Sequence, residues 1–218
     1  MARFKHLIFD LDGTLLDTIE DICLAINTAL EKCGYPQRFN RETTKALIGD
    51  GADALIRRAL LEKGSDLQAF SQIKPIYMEL YRIHQVERAK PFDGLVNVLN
   101  ELKDRGVDFC CVTNKPEPLA YTILEMHYGE GFFQKIIGAS EEYPVKPHPA
   151  STNACIEMLR FKKEDCLYVG DSHVDVETGH NAGLPVALCL WGYETDYPKA
   201  IQTADFVLKT PEDLLSLF

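Results

Sequence analysis

Downstream of Pro91, short apolar runs alternate with amphipathic stretches, and few folds satisfy that alternation. Val107–Thr113, Lys135–Ala139, Cys166–Gly170, Pro185–Leu190 and Asp205–Leu208 have the length and composition of strands. Between them, Leu95–Arg105, Pro118–His127, Ala150–Arg160 and Val174–Ala182 carry the helical period, and Pro211–Phe218 predicts a closing helix. Strands that alternate with helices pair in parallel, and a parallel sheet must be covered on both faces. His6–Asp10, near the start, predicts one more buried strand. A block without strand character separates it from the rest. Thr18–Cys33 has apolar residues at 19, 22, 23, 26, 29, 30 and 33, with Thr18 and Asp21 as a capping signal and Gly34 with Pro36 as a stop. Residues 41–48 and 52–63 and Ile73–Val86 also predict helices. The expectation is an α/β fold: a Rossmann-like parallel sheet core in residues 1–16 and 89–218, with an all-helical domain inserted at 17–88.

The 218 residues suit one generous domain, or one with a smaller partner. Lys and Arg total 23 against 33 Asp and Glu, a net charge of −10. A surface that acidic repels phosphate backbones, so no nucleic-acid partner is expected. No window approaches a membrane-spanning apolar length, and Leu7–Phe9 is too short for a signal peptide. The seven cysteines are odd in number and lack a C-x-x-C pair, which predicts reduced, buried thiols in a cytoplasmic protein.

The sharpest string is Phe9-Asp10-Leu11-Asp12-Gly13-Thr14-Leu15-Leu16-Asp17. In extended chain, residues i and i+2 face the same side, so Asp10 and Asp12 emerge together from a strand end. Open α/β sheets bind ligands at that edge. Two such carboxylates repel unless one is protonated or a cation lies between them, and Gly13 lets backbone N–H groups approach an anion. A calcium loop is excluded, because the glycine is misplaced and a strand precedes the acids. Three later strand ends carry matching chemistry. Thr113 and Asn114 offer a hydroxyl and an amide before a helix start. Lys146, flanked by Pro144 and Pro147, is held extended in a loop. Asp171 ends a strand, and Asp175 follows one helical turn later. Hard oxygen ligands without a His–Cys cluster point to Mg²⁺ rather than zinc.

In this set and order, Asp10-x-Asp12-Gly13-Thr14, Thr113, Lys146 and Gly170-Asp171-x-x-x-Asp175, the chain resembles the haloacid dehalogenase superfamily over essentially its whole length. The helical insert at 17–88 is similar to that superfamily's cap domain. Dehalogenases and phosphonatases lack an acid at the position of Asp12, so the resemblance implies phosphate-ester chemistry. Phe9–Thr18 and Ile48-Gly49-Asp50-Gly51-Ala52 look most like phosphoglycolate phosphatases. The resemblance implies Asp10 as nucleophile, through an aspartyl-phosphate, and Asp12 as acid and then base. It implies Mg²⁺ held by the Asp10 carboxylate, the Asp12 carbonyl and Asp171, with Asp175 acting through water or Lys146. Thr113 and the Asn114 backbone would grip the phosphoryl oxygens, and Lys146 would orient Asp10. The implied activity is hydrolysis of a small phosphorylated metabolite, 2-phosphoglycolate, by a monomer or homodimer. Alternatives left open are a sugar phosphate or pyrophosphate hydrolase, a sugar-phosphate mutase, or a phosphate-binding protein without turnover.

Gly49-Asp50-Gly51-Ala52-Asp53-Ala54 matches a dinucleotide fingerprint, but no strand precedes it, so the plain reading is a loop before a helix, and the resemblance implies that this loop, with Gly49 and Gly51, faces the substrate from the cap. Arg57 and Arg58 lie just beyond, on a helix that could be merely solvated. His148 and His173 neighbour the Lys146 and Asp171 motifs and are candidates for the pocket wall. Trp191 and Tyr193, after the fourth core strand, are expected to pack.

Overall fold

The computed structural model describes residues 4–218. In chain order, β1 (His6–Phe9) and β2 (Leu16–Asp17) precede the helices α1 (Ile19–Lys32), α2 (Arg41–Lys45), α3 (Gly51–Ala59) and α4 (Leu67–His84). Then come β3 (Lys90–Pro91), α5 (Leu95–Asp104), β4 (Asp108–Pro116), α6 (Glu117–Tyr128), β5 (Lys135–Ala139) and α7 (Ala150–Leu159). The chain ends with β6 (Cys166–Gly170), α8 (His173–Asn181), β7 (Val186–Cys189), α9 (Tyr197–Thr203), β8 (Phe206–Leu208) and a 3₁₀ turn at Pro211–Leu217.

Six strands form one parallel sheet in the order β5-β4-β1-β6-β7-β8. Side-chain alternation sorts each strand between two apolar layers. Leu7, Phe9, Phe109 and Cys111 join α5 and α6 on one face, while Ile8, Cys110, Val112 and Tyr168 join α7 and α8 on the other. Burial on both faces explains why these strands read as continuous apolar runs. The chain leaves β1 towards β4 and later returns to its other side as β6, so the direction of winding reverses at β1. The crevice above the C-terminal end of β1 is therefore the topological switch point.

The inserted helices build their own apolar cluster. Ile22, Ile26 and Leu30 of α1 face Leu55 and Ile56 of α3 and Ile73 and Tyr77 of α4. Leu119 of α6 joins this cluster from the sheet side. The two chain crossings that join insert and sheet are zipped together. Leu16 and Asp17 pair antiparallel with Pro91 and Lys90, and Asp21 accepts from the backbone N–H of Arg88 (3.1 Å) and Ala89 (2.9 Å).

Several expectations need correction. Thr18 does not cap α1 with its side chain; its hydroxyl donates to Asp12 Oδ1 (2.7 Å), while Asp21 serves the crossing just described. Tertiary partners have displaced a local capping pair. The helix expected from Ile73 begins at Leu67, because Asp66 caps it through the N–H groups of Gln68 and Ala69. Pro75 lies inside that helix on its exposed side, where water can take the carbonyl that proline leaves unpaired. The helix expected over 52–63 stops at Ala59 and continues as a 3₁₀ turn, and the closing helix is likewise 3₁₀. α9 was not expected. All seven thiols are free, with Cys33 only half-buried. Among the described residues no helix is long and apolar enough to cross a membrane.

The zipped crossing should contribute measurably to stability. Asp21→Ala removes the acceptor for two N–H groups at a buried position, at an expected cost of about 1–3 kcal/mol in denaturant unfolding. An unchanged midpoint would show that the crossing is held by the β2–β3 ribbon alone.

Candidate active site

Asp10, Asp12, Thr113, Asn114, Lys146, Asp171 and Asp175 all lie around the crevice above β1, at the C-terminal edge of the sheet. Asp10 follows β1 directly, its N–H bonded to the Val169 carbonyl of β6 (2.9 Å). The strand expected to end at Thr113 runs on to Pro116, and its register with β5 shifts between Val112 and Pro116. That irregularity falls on Thr113, Asn114 and Lys115 and re-aims their side chains at the sheet edge.

Lys146 is buried, and its ammonium joins Asp10 Oδ1 (2.6 Å) to Asp175 Oδ1 (2.8 Å). Flanking prolines predicted an extended lysine; what anchors it here is Asn114. The Asn114 side chain accepts from the Lys146 N–H (2.8 Å) and donates to the Lys146 carbonyl (3.2 Å) and to the Gly49 carbonyl (2.9 Å). Thr113 is buried, lines the cavity, and accepts from the Lys115 N–H (3.2 Å).

Asp175 is fixed from its own helix. Ser172, the N-cap of α8, donates to Asp175 Oδ2 through its hydroxyl (2.7 Å) and its N–H (3.1 Å), so cap and acid form a capping box. Asp171, which precedes that cap by one residue, does not cap the helix. It accepts from the Thr14 hydroxyl (2.8 Å) and the Tyr193 N–H (2.6 Å). Gly13 has φ +92, and a Cβ there would collide with the Asp171 carboxylate, so the loop needs glycine twice over.

Burial and mutual repulsion shape the acids' protonation. Desolvation pushes Asp10 up to about 7, with Asp175 and Asp12 adding to the shift and Lys146 opposing it. Asp171 is raised well above the carboxylate range by burial first, then by Asp175 and Asp10. Burial alone would lower Lys146, but Asp10 and Asp175 outweigh it and hold the ammonium well above its ordinary value. Buried carboxylates that resist ionisation form a site that a cation would relieve. The oxygens fit one: Asp10, Asp171 and Asp175 each offer an atom within 4.8 Å of the others, all buried. Both oxygens of Asp175 are engaged, by Lys146 and Ser172, and both of Asp171, by the Thr14 hydroxyl and the Tyr193 N–H; Asp171 differs in that its partners are neutral donors rather than an ammonium.

The crevice holds about 230 Å³ of open space between the sheet edge and the insert. Gly49, Gly51 and Ala52 line it, and the residues ahead of that loop are helix α2, so the context a dinucleotide fingerprint requires is missing. Arg58 lines the cavity and donates to the Leu47 carbonyl (3.1 Å) and the Asp50 carboxylate. Arg57 turns away, to the Gly64 carbonyl (3.0 Å) and the Phe70 ring. His173 lines the cavity with its N–H and Nδ1 on Glu194, whereas His148 faces the Ala150 N–H and stands outside it.

Sequence reasoning missed three contributors. Tyr193 was expected only to pack. Its hydroxyl accepts from the N–H groups of Thr18 (2.6 Å) and Ile19 (3.1 Å) and donates to Asp17 (2.8 Å), while its own N–H holds Asp171. Lys115 is buried, 3.4 Å from Asp12 Oδ1, and bonds the hydroxyl of Tyr81, the third, from α4. A signal existed for Lys115, since it lies two residues beyond Thr113 in one strand, as Asp12 lies two beyond Asp10.

Comparison with known proteins agrees with this geometry. The family model of haloacid dehalogenase-like hydrolases matches residues 7–189. The chain is 34% identical over 217 residues to the phosphoglycolate phosphatase of Aquifex aeolicus, covering 98% of this chain and 96% of the relative. It is 32% identical over 218 residues to that of Vibrio parahaemolyticus, covering 98% and 95%. The crystal structure of a predicted phosphoglycolate phosphatase from Haemophilus somnus superposes with a TM-score of 0.91 at 29% identity, covering 100% of this chain and 99% of that one.

A divalent cation in the acid cluster should stabilise the fold, by about 2.7 kcal/mol at a hundredfold excess over its Kd. Thermal unfolding with and without a chelator reads this directly. Asp171→Asn should remove most of the shift; an equal shift in the variant would put the cation elsewhere.

Proposed function

The chain belongs to the haloacid dehalogenase-like hydrolase family and is a phosphatase, and from that premise we propose that it hydrolyses 2-phosphoglycolate with Mg²⁺ as its metal. The observation that carries the reading is the arrangement of Asp10, Asp12, Thr113, Lys146 and Asp171 on neighbouring strand ends around one crevice, in a chain similar over its full length to phosphoglycolate phosphatases. We read residues 17–88 as a cap over a core of residues 1–16 and 89–218, which the separate apolar cluster of the insert supports. A reducing, cytoplasmic location fits the free cysteines, and we read the protein as a monomer or homodimer.

In this reading Asp10 and Asp171, with the Asp12 carbonyl, hold Mg²⁺, and Asp175 acts on the site through Lys146. The metal, when bound, neutralises charge on the phosphoryl group and on the acids around it. The chain's own residues do the rest. Lys146 holds Asp10 by one oxygen and fixes its carboxylate as a nucleophile. A carboxylate oxygen of Asp10 attacks phosphorus, the bond to the ester oxygen breaks, and Asp12 gives its proton to that departing oxygen. Thr113 and the backbone at Asn114 bind the phosphoryl oxygens during transfer. Asp12, now a carboxylate, takes a proton from water, which attacks the aspartyl-phosphate and releases phosphate and free Asp10. The Thr18 hydroxyl on Asp12 keeps the acid aimed at the crevice through both steps.

A panel of phosphate esters ranked by kcat/KM in the presence of Mg²⁺ tests the substrate, with 2-phosphoglycolate expected first. A sugar 1-phosphate that is isomerised rather than hydrolysed would replace the reading with a mutase. Asp10→Asn should abolish turnover of every ester. Asp12→Asn should slow esters with poor leaving groups by roughly 10²–10⁴-fold; an unchanged rate would remove Asp12 as the acid.

A further inference from the structure

The crevice contains more cations than one phosphoryl group requires, and they are unequally engaged. Lys146 is shared between Asp10 and Asp175. Arg58 is bound to Asp50, and Lys45 lies 3.0 Å from Glu42. Lys115 differs from all three. It is buried, and its closest carboxylate oxygen, Asp12 Oδ1, is 3.4 Å away and already takes the Thr18 hydroxyl at 2.7 Å. Its near partner is the neutral phenol of Tyr81, whose ring also lies under the ammonium, 4.1 Å from its centroid. A buried ammonium with so loose a counter-charge is under-compensated, and it lines the cavity that a substrate enters.

The neighbouring groups say what would compensate it. Tyr81 accepts from Lys115, so its own phenolic proton remains to donate. Tyr81 is itself buried and stacked on Tyr77, with ring centroids 5.6 Å apart, so its hydroxyl is a fixed donor rather than a swinging one. Together the two side chains present one positive charge and one neutral donor. That pair suits a single carboxylate; a second phosphoryl group would ask for more donors and more charge. Position agrees with chemistry. Asp12, which serves the ester oxygen in the reading above, is 3.4 Å from the ammonium, so a group one or two carbons beyond that oxygen lies within reach of Lys115.

We propose that Lys115 of the sheet edge and Tyr81 of the insert form a subsite for a carboxylate borne one or two carbons from the scissile phosphate ester. The proposal rests on the reading of Asp12 as the residue facing the ester oxygen. It makes the substrate class a short phosphorylated hydroxy acid, and it makes selection an effect of charge. A neutral analogue of the same size would leave the buried ammonium unpaired, which costs more than a missing contact in water.

The test compares 2-phosphoglycolate with 2-phosphoglycolamide, matched in size and in reacting centre but lacking the carboxylate charge. Wild type should prefer the acid in kcat/KM by roughly 10- to 100-fold. Lys115→Met should collapse that ratio towards one, with most of the change in KM for the acid. Lys115→Arg should keep part of it, and Tyr81→Phe should lower it less than Lys115→Met does. Thermal unfolding of each variant checks its folding, and a folded Tyr81→Phe or Lys115→Arg still reads the ratio if Lys115→Met does not fold. A ratio that stays at the wild-type value in Lys115→Met, whether kcat/KM holds or falls equally for acid and amide, overturns the subsite and leaves Lys115 as a support for Asp12. A wild-type enzyme that hydrolyses p-nitrophenyl phosphate with Mg²⁺ yet takes acid and amide alike overturns the subsite while the phosphatase chemistry stands. Loss of all ester hydrolysis would instead strike the functional reading beneath it.

Discussion

The buried ammonium of Lys146 between Asp10 and Asp175 is the interaction on which the rest of the site depends. Removing one member of a buried ion pair costs about 3–5 kcal/mol, because the survivor is left charged in a poor solvent. Meeting that constraint requires three stretches of chain distant in sequence to converge. Asp10 comes from β1, Asp175 from the first turn of α8 after β6, and Lys146 from the loop after β5. The sheet order makes this possible, since β1 lies directly between β4 and β6. Asn114 at the end of β4 then fixes the lysine's backbone by both its N–H and its carbonyl, and Ser172 fixes Asp175.

Charge sets the second constraint. The chain carries a net −10, and its acids are crowded where an anionic substrate must arrive. A global field of that sign opposes the approach of a phosphate ester. In the proposed reading the attraction is local, from a cation held by Asp10 and Asp171 and from the ammonium groups that line the crevice. The raised protonation tendency of Asp10 and Asp171 expresses the same crowding from the protein's side. Fold and ligand thus solve one electrostatic problem jointly.

The sheet and its acids were legible in the sequence because both follow local rules. Continuous apolar runs mark β1 and β4, and strand ends mark Asp10, Asp12, Thr113 and Asp171. Asp175 was legible as one helical turn beyond Asp171. Residues whose partners are remote in the chain were not. Thr18 and Asp21 have the spacing of a capping pair, yet one serves Asp12 and the other serves Arg88 and Ala89, and no local rule anticipates either. Lys115 and Tyr81 are separated by the whole of α5 and much of β4, and only the packing of the insert on the sheet edge brings them together. The prolines beside Lys146 announced a restrained lysine but not the amide that restrains it.

Several contacts of this kind join the insert to the sheet edge. Thr18 opens the insert and bonds Asp12. Tyr193 receives the same Thr18 N–H on its hydroxyl and holds Asp171 with its backbone. Tyr81, near the end of α4, reaches Lys115 beside Asp12. The β2–β3 ribbon carries both crossings of the chain, so a rotation of the insert about that ribbon shifts Thr18 and Tyr81 together against Asp12 and Lys115. A motion of this kind would expose the crevice and loosen the hydrogen bonds on Asp12 in a single step. On the proposed role of Asp12, placing its hydrogen-bond donor on the insert would tie proton transfer to the closed arrangement, in which bulk water is kept from the reacting phosphate while the attacking water is retained.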